Sequence, residues 1–201
     1  MLCLAPLGVN AHPHSWVDVK SYVDGKEQQI KGIGMVWQFD PMTSAYMLEG
    51  ENLEASSREQ TLARMAQDIV NNIREFSYFT QVTWEQQPVA LAGASKQRLS
   101  VQGLNVSLSF YLTFKEPIPL QQGHLDVQVF DPSYYIDMAW RSATDLELAI
   151  ELQAACSKSI EEPKPSPEQI SYALALPADA APDQELGKLF TQQGLISCEL
   201  P

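Results

Sequence analysis

Over most of this chain apolar side chains return at every second position, and in one long stretch they return at every third or fourth. The alternation is clearest in Leu104, Val106, Leu108, Phe110, Leu112 and Phe114, which are separated by polar or exposed positions. Successive side chains of a strand point to opposite faces, so this pattern requires a half-buried antiparallel strand. Within QRLSVQGLNVSLSFYLTF a partner strand precedes it, and the two meet around Gln102-Gly103. TQVTWEQQPV, HLDVQVF, SYYIDMAW and LELAIELQ alternate in the same way, punctuated by Pro117, Pro119 and Pro132. Near the front, SWVDVKSYV and QQIKGIGMVWQF flank Asp24-Gly25. That pair suits a type I′ turn, whose two central positions both need positive φ, and it predicts a hairpin over 14–40. Gly32 and Gly34 interrupt the second strand and mark a bulge or a close backbone approach.

The longer period belongs to Ser56–Phe76. Leu62, Met65, Ile69, Ile73 and Phe76 fall on one face and Arg58, Gln67, Asn71 and Arg74 on the other, as in a helix laid on a sheet. Ser56 with Glu59, or Ser57 with Gln60, offers a capping box. After Cys156 the text changes. Residues 157–182 are rich in proline, acids and alanine and read as a surface excursion. A short helix from Asp183 to Gln193, with Leu186, Leu189 and Phe190 on one face and Gly194 as its stop, docks back on the core. The expected fold is α+β: a largely antiparallel sheet in as many as two layers, one long amphipathic helix, and a C-terminal helix tied by a disulfide. Residues 12–156 form the main domain and 157–201 the excursion with its helix.

Composition narrows the function. The chain has 201 residues, 45% of them hydrophobic, and a net charge of −12. Such a charge argues against nucleic acid or an anionic membrane surface as partner, because phosphates would repel it. Residues 1–11, MLCLAPLGVNA, are apolar and end in Val-x-Ala, as the residual h-region and cleavage site of a secretory signal do. The basic n-region is missing, so the start is misplaced or the leader truncated; a frayed first strand is the competing reading. The expected location is an oxidising compartment outside the cytoplasm. No other stretch is long and apolar enough to span a bilayer. Cleavage would also remove Cys3, leaving Cys156 and Cys198 as an even pair in an oxidising compartment, hence a disulfide. Closing a loop of roughly 40 residues is worth about 4 kcal/mol on a chain-entropy account. A thiolate metal site would call for closer spacing such as Cys-x-x-Cys.

Candidate chemistry gathers at the new terminus. In the strand read from NAHPHSWVDVK, His12, His14, Trp16 and Asp18 share a face. The two imidazoles lie about 7 Å apart at Cα, so a third donor must complete any metal shell. If His12 becomes the first residue, its α-amine, with an ordinary pKa of about 7.7, can chelate together with its own ring. Pro13 has no amide proton to lose, so a site built on deprotonated backbone amides is excluded. The plainer alternative is that Pro13 steers the chain into the strand and His14 is a satisfied, half-buried histidine. His124, the remaining histidine, opens HLDVQVF and is either a further ligand or a solvated strand start. Asp131 and Asp137 bracket PSYY; Asp131-Pro132 and Asp40-Pro41 read as turn starts, and Asp137 as solvent-facing.

A Gly-rich phosphate loop, a His-Glu-x-x-His and a Gly-x-Ser-x-Gly are all missing, and three histidines leave few general bases, so an enzyme is not the expected class. A copper oxygenase using the N-terminal histidine is a minor alternative. The scattered methionines do not make a Cu(I) site.

Several motifs in order then carry a resemblance: HPHSWVD at 12–18, WQFD at 37–40 followed by MTSAYMLEG, FSYFTQV at 76–82, and DPSYY at 131–135. From about residue 12 to residue 156 the chain resembles domain-of-unknown-function family 1007, described as periplasmic components of ABC-type transport systems. The resemblance implies a periplasmic protein working beside a membrane permease for divalent metal: nickel, cobalt or zinc; nitrogen and carboxylate donors suit these ions, and Cu²⁺ by raw affinity. Carried over by position, the implied ligands are His12, His14 and Asp18, with Asp40 and Asp131 as additional candidates. The chain lacks a long His-rich loop and is shorter than two-lobed solute-binding components, which argues against bulk storage and against closure around a substrate. The alternative function is a metal-free subunit docking on a transporter through its sheet and its Pro-rich segment.

Overall fold

The structure, a computed structural model, describes residues 13–176 and 186–199. It is α+β, with two sheets sharing one core. The chain opens with a long hairpin of β1 (Ser15–Lys26) and β2 (Gln29–Phe39), paired from Val17↔Phe39 to Lys26↔Gln29. Its turn is Glu27-Gln28, both with φ near +60° (58° and 60°), beyond the expected Asp24-Gly25. The physical reason is packing. A side chain at Gly25 would sit 2.5 Å from Leu152, and the register shifts between Asp24 and Gly25, so this glycine serves a bulge inside the strand. Gly32 behaves as its sequence suggests, with a register shift beside it and the Leu112 carbonyl 2.2 Å from where a Cβ would be.

The first sheet continues with β5 (Leu91–Gln102) and β6 (Asn105–Pro119). They join at Gly103-Leu104, which leaves Leu104 78% exposed; the buried alternation starts at Val106, not at Leu104. The order is β5-β6-β2-β1-β8, with β8 (Ile136–Ala139) running parallel to the start of β1. Farther along the same edge, β9 (Leu146–Leu148) also pairs parallel to β1. The second sheet is antiparallel throughout and uses β3 (Thr80–Trp84), β4 (Gln87–Pro88), β7 (Gly123–Val129), β10 (Cys156–Glu161) and β11 (Gln193–Cys198) in the order β10-β11-β7-β3-β4. TQVTWEQQPV is therefore two short strands around Glu85-Gln86, both at positive φ, and not one. Val17, Val19, Leu108 and Leu112 of the first sheet and Leu125, Val127 and Ile196 of the second are at most 1% exposed in the common core.

Helix α1 (Pro41–Leu48) occupies a stretch that reads only as a turn from sequence, and α2 (Arg58–Asn72) is the expected amphipathic helix. The latter buries Leu62, Met65, Ala66 and Val70. Neither capping box forms: Ser57 is the N-cap, but its hydroxyl donates to the Glu54 carbonyl. A 3-10 segment, Ile73–Phe79, follows, and it leaves Phe76 46% exposed, off the buried face assigned to it.

Cys156 and Cys198 face each other across β10 and β11 and are disulfide-bonded, with a Cα–Cα distance of 4.0 Å and a separation of 42 residues. A one-turn helix, α3 (Ile150–Gln153), precedes β10; residues 157–161 thus belong to that strand, and the excursion proper begins after them. It holds α4 (Pro167–Ala175), which Ser166 and Gln169 cap reciprocally. Of the expected C-terminal helix, Asp183–Glu185 lie outside the described residues, and the described part is one turn, α5 (Leu186–Leu189). It docks tightly: the Gly187 N–H donates to the Pro132 carbonyl at 2.9 Å, and a Cβ at Gly187 would strike the Asp131 carbonyl. Gly194 lies within β11 and is not a helix stop.

Candidate metal centre

Two carboxylates fix the ends of β1 and β8 side by side. Asp40, the N-cap of α1, accepts from the amides of Met42 (2.8 Å) and Thr43 (3.0 Å), from the Thr43 hydroxyl (2.5 Å) and from the Trp16 amide (3.1 Å). It thereby ties the start of a helix to the first turn of a strand. Burial pushes its carboxyl up, but those donors outweigh burial and hold it below the ordinary aspartate value. Buried Asp131 accepts from the Ser133 amide and hydroxyl and from the Ile136 amide (3.1 Å), so it holds the DPSYY turn at the head of β8. Both additional candidates are thus saturated by donors of the fold. Their visible work is positioning.

Asp40→Ala is expected to cost about 1–2 kcal/mol, the usual loss for a helix N-cap. A carboxylate whose folded pKa is depressed contributes fully above its unfolded value, and that contribution is lost as pH falls through the folded value. The gap between wild type and variant in urea unfolding is therefore expected to be full at neutral pH and to narrow as pH falls below the ordinary aspartate range.

Between these anchors the parallel register pairs Ser15 with Ile136, Trp16 with Asp137 and Asp18 with Ala139, while the His14 amide donates to the Tyr135 carbonyl at 2.9 Å. Burial alternates along β1, so His14, Trp16 and Asp18 share the outer face, as their spacing predicts. The His14 ring stacks on Tyr135, centroids 4.7 Å apart. Asp18 pairs with Arg141, Oδ1 to Nε 2.5 Å. His12 lies outside the described residues.

Asp137 is the residue that sequence reasoning passed over. It is half-buried on this same face rather than solvent-facing. Burial pushes its carboxyl up; Arg141 pulls it back and the charge of Asp18 adds to the rise. By strand spacing it lies about 8 Å from His14 at Cα, against about 13 Å for Asp18, so Asp137 is the carboxylate better placed to share an ion with His14. Tyr134 backs the cluster and stacks on Phe190 at 4.4 Å; burial, then the charge of Asp137, pushes its phenol up to about 12. Only the pairing of β1 with β8 could have signalled Asp137, and no local pattern announces a parallel partner so distant in the chain.

His124 is elsewhere. It stands at the far end of β7 from Asp131, about 20 Å away by strand rise. There its amide donates to Glu85 (2.6 Å), and its Nδ1 lies 3.1 Å from the Ser197 hydroxyl. The structure does not bring it to His14. Among the described residues no three His, Cys, Asp or Glu side chains cluster as a metal shell. By residue chemistry His14 and Asp137 offer one nitrogen and one carboxylate donor, and His12, the other histidine of the motif, lies outside the described residues.

Comparison with known proteins gives two findings. The family model described as "Protein of unknown function (DUF1007)" matches residues 1–198. A protein of Haemophilus influenzae (strain ATCC 51907 / DSM 11121 / KW20 / Rd), described as "Uncharacterized protein", is 26% identical over 197 residues, covering 96% of this chain and 93% of its own length.

Proposed function

The chain belongs to the DUF1007 family, and from that premise we propose that it is a periplasmic accessory protein that binds one divalent ion at its N-terminal strand and exchanges it with a membrane metal transporter. The observation that carries this reading is the outer face at the head of β1. There His14 and the half-buried carboxylate of Asp137 share one face, about 8 Å apart at Cα by strand spacing, in the stretch that follows His12-Pro13. A desolvated carboxylate with a second one nearby and a single arginine between them gains from a cation. Imidazole, amine and carboxylate donors suit Zn²⁺, Ni²⁺ or Co²⁺, and Cu²⁺ by raw affinity. Asp18 serves as the partner of Arg141, keeping that guanidinium beside the site.

Elemental analysis of exported protein, purified without chelator and with its first residue identified, tests the reading. The expected result is about one divalent ion per chain; metal-free protein that takes up none on exposure to Zn²⁺, Ni²⁺ or Co²⁺ overturns it. The second reading, a metal-free docking subunit, draws on Trp16, Tyr22 and Val36, which stand about 40% exposed on the outer face of the first sheet (40%, 42% and 39%). It requires co-purification with the permease in chelator. Among the described residues no helix is long and apolar enough to cross a membrane.

A further inference from the structure

The motif FSYF, at the end of the 3-10 segment, has no part in the metal site, yet its backbone is the most unusual in the chain. Ser77, Tyr78 and Phe79 are consecutive non-glycine residues at φ 54°, 58° and 50°. An L-residue in the left-handed region costs about 1–2 kcal/mol, so three in succession persist only where their surroundings over-determine them. Here those surroundings are specific. The Thr80 amide donates to the Ser77 carbonyl, the Phe130 amide donates to the Phe79 carbonyl at 2.9 Å, and the Tyr78 side chain is 6% exposed. The turn throws Phe76 outward and sets Phe79 between Phe76 (centroids 5.8 Å) and Trp37 (6.2 Å).

What the strained turn builds is one wall of a cavity of about 490 Å³. Phe76, Phe79, Val89, Leu91 and Phe130 give it an apolar lining, and Arg74 stands among the lining residues as its one charged side chain. In a protein of net charge −12, none of the described residues lining this cavity is acidic. Arg74 is solvent-exposed and takes part in no ion pair among the described residues, unlike Arg64 and Arg141. The volume lies within the range of small-molecule sites, which combine apolar walls with a few placed polar groups.

We propose that this cavity binds a small apolar monocarboxylate, its chain against Phe76, Phe79 and Phe130 and its carboxylate on the guanidinium of Arg74. A planar guanidinium meets a carboxylate through two parallel hydrogen bonds, and a single cation with no second positive charge in the lining suits a singly charged anion. The strain of the turn is then the cost of holding two phenylalanines at the mouth without glycine's mobility.

Titration of the full chain with decanoate below its micelle concentration, followed by amide resonances and calorimetry, tests this. Saturable binding is expected, with shifts centred on Ser77–Thr80 and Leu91. Arg74→Gln, an exposed change that spares the core, is expected to weaken it at least tenfold, and Arg74→Lys to weaken it less. Decanol, of equal chain length but uncharged, is expected to bind at least tenfold more weakly than decanoate. Absence of saturable decanoate binding overturns the proposal, as does equal affinity in Arg74→Gln. Binding only of a peptide with a free apolar C-terminus, and not of decanoate, overturns it in favour of peptide capture.

Discussion

Replacing His14 with alanine is expected to lower affinity for Zn²⁺ or Ni²⁺ at least tenfold while leaving the fold intact. Loss even of groups that only support a ligand costs 10–100-fold, so loss of a nitrogen donor is expected to cost no less. The fold survives because the His14 bond to β8 is made by its amide, which the substitution keeps, while the ring's stacking on Tyr135 is lost. Asp137→Asn is expected to have a similar effect on affinity and Asp18→Asn a smaller one, because Asp18 is farther from His14 and pairs with Arg141. Calorimetric titration of the three variants checks the order. Unchanged affinity in His14→Ala removes this face from the site.

The second large effect concerns stability. Cys156→Ala together with Cys198→Ala is expected to lower unfolding free energy by about 4 kcal/mol, the value for opening a loop of this length. For a chain of this size that corresponds to a fall in Tm of about 10 °C. The bridge joins the paired ends of β10 and β11 and closes the segment carrying α4 and the α5 turn, so its loss releases that segment in the unfolded chain. Alanine is the right replacement because Cys156 and Cys198 are 8% and 2% exposed, and a serine hydroxyl there would add a desolvation cost of its own. An unchanged Tm in the double variant contradicts this role.

Patterns of near neighbours were legible in the sequence. The alternation of Val106 to Phe114 marks β6, the three-four spacing from Leu62 marks α2, and the even pair Cys156 and Cys198 marks the bridge. What failed were features decided by distant parts of the chain. Asp24-Gly25 has the chemistry of a hairpin turn, but Leu152 claims the space over Gly25, so the strand runs on and Glu27-Gln28 accept positive φ instead. Asp40-Pro41 reads as a turn start from sequence, yet Asp40 caps α1 and Pro41 takes its first helical position, where a missing N–H costs nothing. Asp137 entered the candidate site only through a parallel pairing that no local period encodes. The left-handed run Ser77–Phe79 carries no glycine to announce it. The shared face of His14, Trp16 and Asp18 was legible in strand spacing; His124 was a candidate by residue type alone, and the topology places it at the other end of β7.

Calorimetric titration of Zn²⁺ into protein whose first residue is His12, compared with the same protein carrying one extra methionine before it, bears most directly on the proposed metal site. The account predicts one ion per chain and clearly weaker binding when the amine is displaced from His12. Absence of a one-to-one transition in the protein beginning at His12 contradicts it.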